Sequence, residues 1–253
     1  MSLLRKIVAA ALMIGMGGTM AYAETPPPAK NIVIVHGALV AASGWHAVHD
    51  ILTKDGFHVT LVEEPNTSLA ADVDATKRAI GEQTGPVVLV GHSYAGSVIT
   101  EAGADPKVSA LVYVSALQPD VGEASGQLLQ KFAAPSAMMA ATNPGTQDAF
   151  LFLPPAKFRA SYAADVPAPE ARFLADSQEQ LAQKALGAPV TGAAWHTKPS
   201  YAILTTRDHM VSPQLQRWMY QRSGSKVTEL KASHASFVSQ PEAVARVIEA
   251  AAK

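Results

Sequence analysis

Five short apolar runs, each set apart by a stretch of helical or irregular spacing, constrain this chain more than any other feature. They are Ile32–Val35, His58–Val62, Val87–Val90, Val108–Val114 and Tyr201–Thr205, and a more polar sixth lies at Lys226–Leu230. Strands that are apolar on both faces must be covered on both faces, and intervening helices supply the cover. Right-handed crossovers then make the strands run the same way. The expected helices are Trp45–Leu52, Leu69–Ile80 with Thr67 or Ser68 as N-cap, Tyr94–Ala102, Pro213–Arg222 and Pro241–Ala252. The fold class that follows is α/β, a mostly parallel sheet covered by helices on both faces. The chain has 253 residues, 48 % of them hydrophobic, enough for one large core.

The rhythm stops between Leu117 and Lys198. That segment is rich in Ala, Pro, Met and Gln and shows helical stretches such as Glu123–Phe132 and Glu170–Leu186, with no convincing pair of strands. It is expected to be a helical lid at about 118–198, over one edge of the sheet. A subdomain that only packs is the alternative.

The N-terminus reads as a targeting segment. Arg5 and Lys6 precede an apolar run from Ile7 to Met20 and the tripeptide Ala21-Tyr22-Ala23, the three parts of a secretory signal peptide. Residues 1–23 are therefore expected to be cleaved. Residues 24–30, with Pro26-Pro27-Pro28, form an extended linker, and 31–253 form the domain. Cleavage takes two basic residues and no acid, which moves the formal net charge from −1 to −3. The expected location is periplasmic or secreted, in a bacterium. No later run is long enough to span a bilayer.

Several functions are excluded early. A near-neutral chain without a basic stripe is not built for nucleic acid. With no cysteine it has no disulfide, thiol nucleophile or thiolate metal ligand. No phosphate loop or dinucleotide fingerprint occurs, so no cofactor and no metal are expected. His46 and His49 have metal-like spacing but no third ligand, and read as surface.

Parallel sheets bind ligands at the carboxyl ends of their strands. After the third run comes Gly91-His92-Ser93-Tyr94-Ala95-Gly96, a strand–turn–helix pattern that pushes a serine hydroxyl out above the sheet. The G-x-S-x-G signature is missed by one residue, since Ala95 stands where glycine is usual. Asp208 follows the fifth run and His234 the sixth, so serine, acid and histidine fall on one edge. Serine needs a base to take its proton, histidine titrates near neutrality, and a carboxylate fixes the imidazole tautomer. The backbone N–H groups of Ala38 and Tyr94 are the natural donors to an oxyanion, with Gly37 permitting close approach. Asp120, after the fourth run, is the rival acid. His209 is not expected to turn back onto Asp208. His36, His92 and His196 are assigned to turns or surface, and Trp45, Trp195 and Trp218 to packing.

These pieces together resemble the α/β-hydrolase superfamily: Val33-Ile34-Val35-His36-Gly37-Ala38 with Trp45 downstream, Val90-Gly91-His92-Ser93-Tyr94-Ala95-Gly96, Thr205-Thr206-Arg207-Asp208 and Ala232-Ser233-His234. The chain order serine, acid, histidine is also the one used there. The resemblance is strongest to small bacterial serine esterases similar to plant methyl-ester esterases and hydroxynitrile lyases. It implies hydrolysis of a small-molecule carboxylic ester through an acyl-enzyme. The alternatives are a C–C lyase with the same residues and a non-catalytic small-ligand binder. The lyases carry a threonine where Gly37 stands and a lysine where Ala235 follows His234, so the chain departs from them at both places. A haloalkane dehalogenase would need aspartate in place of Ser93. The oligomeric state is left open by the sequence.

Overall fold

The computed structural model describes residues 29–132, 140–142, 144 and 149–253. The expected signal segment and most of the linker lie outside the described residues. Strands β1 (Asn31–Val35), β2 (His58–Val62), β3 (Val87–His92) and β4 (Val108–Val114) precede the insertion. The insertion holds three short strands, β5 (Ala140–Ala141), β6 (Phe150–Phe152) and β7 (Leu181–Ala182), and is followed by β8 (Ser200–Thr205) and β9 (Lys226–Leu230). The main sheet has six strands in the order β2-β1-β3-β4-β8-β9, every pairing parallel. From β1 the chain moves outward to β2 on one side, then returns to place β3 on the other. The order reverses there, which is where open parallel sheets present a crevice.

The helices are α1 (His46–Lys54), α2 (Leu69–Gly81), α3 (Ala95–Ala102), α4 (Ser125–Lys131), α5 (Pro155–Tyr162), α6 (Ala168–Asp176), α7 (Gln183–Gly187), α8 (Pro213–Ser223), α9 (Ser236–Ser239) and α10 (Pro241–Ala251). Ser68 proves to be the N-cap of α2, its hydroxyl accepting from the Ala71 N–H at 3.2 Å. Pro213 and Pro241 open α8 and α10, where a missing N–H costs nothing. The central strands β1 and β3 are buried throughout, whereas the edge strand β9 exposes Lys226 and Glu229. Charge on an edge discourages pairing with another chain. Helices flank the sheet, α1 packing with α10 and α2 with α3. The Ala29 N–H donates to the Ala252 carbonyl at 3.0 Å, joining the start of β1 to the end of α10.

The insertion corrects the sequence reading in two places. β5, β6 and β7 form a small antiparallel sheet where no strands were expected. Strands of two or three residues are too short to show a period of two. The stretch Glu170–Leu186 is not one helix: α6 ends at Asp176, and the chain passes through β7 before α7. Gln178 makes the break. Its side chain donates to the carbonyls of Leu153 and Ala175 at 2.9 Å and accepts from the Leu153 N–H at 3.0 Å, which fastens the chain to the loop after β6. Among the described residues no helix is long and apolar enough to cross a membrane.

Candidate active site

Strand β3 ends at His92 and α3 begins at Ala95, so the turn between them is very tight. Ser93 sits in it with φ +54°, a left-handed conformation that costs a non-glycine residue roughly 1–3 kcal/mol. Neighbours hold it there. The Ser93 N–H donates to Val114 O at 3.2 Å, and the Ser93 carbonyl accepts from Gly96 at 3.1 Å and Leu117 at 3.0 Å. A Cβ placed on Gly96 would lie 1.8 Å from the Leu117 carbonyl oxygen, so no side chain fits there. Ala95 is fully buried and accommodated. In this chain the strict need for glycine falls one residue beyond the position the usual signature names.

His234 lies between β9 and α9. Its Nε2 is 2.8 Å from Ser93 Oγ and its Nδ1 is 2.8 Å from Asp208 Oδ2. Asp208 follows β8 and is saturated with donors. Oδ1 accepts from the N–H groups of Met210 at 2.8 Å and Val211 at 3.0 Å. Oδ2 also accepts from Thr205 Oγ1 at 2.8 Å and Gln216 Nε2 at 3.0 Å. An ionised carboxylate only accepts, so Nδ1 of His234 carries the proton and Nε2 is left to accept from the serine hydroxyl. The side chains of His234 and Asp208 are fully buried, while Ser93 is partly exposed. Asp120 is engaged elsewhere, with His196 Nε2 at 2.9 Å. His209 meets the Ala160 carbonyl at 3.1 Å, not Asp208.

The loop after β1 lies against the serine. A Cβ on Gly37 would be 2.8 Å from both the His92 carbonyl oxygen and Ser93 Cβ. Among the described residues neither the Ala38 N–H nor the Tyr94 N–H has an acceptor. Leu39, with φ +76°, is held by paired backbone bonds to Glu179, 2.8 Å one way and 3.3 Å the other.

Buried aromatic groups pack against His234. His92 lies 4.6 Å from His234, centroid to centroid, and its Nε2 donates to the His234 carbonyl at 3.1 Å. Burial, and then the neighbouring His234, push its pKa well below the usual histidine value, so His92 is neutral. Tyr162 meets His234 edge-on at 4.8 Å. Trp45 stacks on Phe237 at 4.5 Å. On the far side, the Tyr94 hydroxyl donates to Asp72 Oδ2 at 2.8 Å, and Asp72 Oδ1 accepts from the Asn66 N–H at 2.8 Å. Burial pushes Asp72 up to about 6 despite those two bonds. Burial, and then Asp72, push the buried Glu64 well above the usual carboxylate range.

Sequence reasoning did not single out Gln216, Asp72, Tyr162 or Asp165. Each acts through a partner distant in sequence or through a local turn, and none carries a motif of its own. His46 and His49 sit at the surface, and among the described residues no group of three or more His, Cys, Asp or Glu could hold a metal.

The profile of the alpha/beta hydrolase family matches residues 32–247. The chain belongs to this family. By sequence, this hydrolase is 28 % identical over 244 residues to the alpha/beta hydrolase nvfD of Aspergillus novofumigatus, covering 87 % of this chain and 96 % of that one. It is 26 % identical over 210 residues to methylesterase 8 of Arabidopsis thaliana, covering 75 % and 76 % of the two. In structure it is similar to a pyrethroid hydrolase from Sphingobium faniae, with a TM-score of 0.76 and 21 % identity over 88 % of this chain and 97 % of that one. That last likeness speaks for the fold.

Proposed function

We propose that this α/β hydrolase is an exported serine esterase that cleaves a small-molecule carboxylic ester through an acyl-enzyme. The observation that carries the reading is the unbroken line from Ser93 Oγ through His234 to Asp208, with both links at 2.8 Å. The esterase named among its sequence relatives supports the same class.

Ser93 Oγ attacks the ester carbonyl while its proton passes to His234 Nε2. The carbonyl oxygen becomes an oxyanion, which takes the free N–H groups of Ala38 and Tyr94. Such donors are typically worth about 3 kcal/mol of barrier each. The imidazolium is balanced by Asp208 and then gives its proton to the leaving alcohol. Water attacks the acyl-serine, with His234 taking its proton, and the free acid departs. The apolar composition of the insertion suits a small or medium apolar ester.

The lyase reading is less well supported. A threonine at position 37 has no room for its Cβ, and Ala235 beside the base is fully buried. The test is hydrolysis of short-chain nitrophenyl esters by the wild type and Ser93→Ala. The variant is expected to lose about 10³-fold or more in kcat. Equal activity in both overturns the mechanism, and aldehyde released from a cyanohydrin favours the lyase. For export, the mature protein recovered from a bacterial periplasm is expected to begin at Glu24.

A further inference from the structure

The insertion reaches the base at three consecutive residues. The Tyr162 carbonyl, at the end of α5, accepts from the Ala235 N–H at 3.1 Å. The Tyr162 ring lies edge-on to His234, at 84° and 4.8 Å. Three residues on, Asp165 accepts from the Ser233 N–H at 3.0 Å, from the Ser233 hydroxyl, and from the Ser239 hydroxyl at 3.1 Å. Positions 233, 234 and 235 are therefore each held by the segment 162–165, which belongs to another part of the chain. The same tyrosine also reaches across to the loop after β1, its hydroxyl donating to the Ala38 carbonyl at 3.5 Å.

We infer that Tyr162 and Asp165 are positioning residues for His234, so that the insertion sets the geometry of proton transfer. The inference rests on the esterase reading. His234 sits on a short loop between β9 and α9, and its ring must meet Ser93 on one side and Asp208 on the other. Asp208 fixes one ring nitrogen but leaves the ring able to pivot about that bond. The Tyr162 ring, standing perpendicular to the imidazole, blocks the pivot on one flank. Asp165 holds the preceding residue through charge-assisted bonds, the stronger kind of hydrogen bond. Tyr162 and Asp165 thus act on His234 through its ring and its two neighbours in the chain. A displacement of about 1 Å can cost 10²-fold in rate.

Asp165 is exposed and Tyr162 is buried, so the two can be tested separately. The variants are Asp165→Ala, Asp165→Asn, Tyr162→Ala and Tyr162→Phe, with folding followed by circular dichroism. The readouts are kcat and KM on a nitrophenyl ester, and the rate at which a fluorophosphonate labels Ser93. In that labelling the serine oxygen bonds to phosphorus, fluoride leaves, and the serine proton goes to His234, so the rate reports the base without depending on the ester. Asp165→Ala and Tyr162→Ala are expected to lower kcat and the labelling rate by about 10- to 100-fold with KM little changed. Asp165→Asn, which still accepts one bond, and Tyr162→Phe, which keeps the ring, are expected to recover most of that loss. A folded Asp165→Ala labelled at the wild-type rate overturns the inference, as does a loss that appears only in KM. If Tyr162→Ala does not fold, Asp165→Ala and Tyr162→Phe decide alone. A wild type that the phosphonate does not label overturns the esterase reading, and the inference with it.

Discussion

Asp208 and Asp120 each follow a main-sheet strand, and their surroundings divide their work. Asp208 is fully buried, with its donors already in place, and one of them is the Nδ1–H of His234. Asp120 is partly exposed and paired with His196. Asp208→Asn is expected to lower kcat by roughly 10³- to 10⁴-fold through the wrong imidazole tautomer, while Asp120→Asn stays within a few-fold. Steady-state kinetics of the two variants on one ester makes the comparison. Asp72 gives a test by pH. Its carboxyl is raised from 3.8 to about 6 in the folded protein, so the folded state holds the proton more tightly than the unfolded chain does. The stability this group contributes is full at pH below its unfolded value and falls as pH rises through about 6. Asp72→Asn is expected to remove that decline. The difference in Tm, variant minus wild type, should therefore grow between about pH 4 and 6 and then level off.

The turn from β3 into α3 shows how a motif can be displaced while its physics is kept. Ala95→Gly restores the usual signature, yet it is expected to cost about 0.5–1 kcal/mol, because glycine loses more freedom in a helix than alanine. Gly96→Ala is expected to cost roughly 3 kcal/mol or more, since its Cβ would sit 1.8 Å from Leu117 O. Urea unfolding of the two variants should rank them in that order. The central strands were legible because burial on both faces leaves unbroken Val, Ile and Leu, as in Val87–Val90. Helix starts were legible where proline or a serine cap marked them. Ser93, Asp208 and His234 were legible as candidates because each falls in the turn or loop that follows a strand. Gln216 was not, because its bond to Asp208 spans from one turn of α8 to a loop eight residues away. Asp165 was not, because its partners lie 68 and 74 residues further on. The insertion's strands were missed because pairing across the chain, and not local pattern, makes them.

Across the whole molecule, the insertion is anchored near its start and again in its second half. Near its start, Arg222 from α8 donates to both carboxylate oxygens of Glu123 at 2.8 and 2.9 Å and to the Gln118 carbonyl at 2.8 Å. The same guanidinium lies over Trp218 at 4.4 Å. A lysine cannot make a forked pair and stack at once, so Arg222→Lys is expected to cost about 1–3 kcal/mol, read as a lower Tm. The far anchor is the paired backbone contact between Glu179 and Leu39. Between them the insertion lies over the carboxyl ends of the strands. The bond from Ala29 to Ala252 sits at the other end of β1, where the sheet begins. A protein carrier or solid support attached at the exposed Lys253, next to Ala252, is thus held across the length of the strands from Ser93. Immobilised that way, the molecule keeps the mouth of its site turned toward the surrounding solution. A display format or fixed-bed reactor that uses this enzyme needs no spacer to clear the path of its substrate.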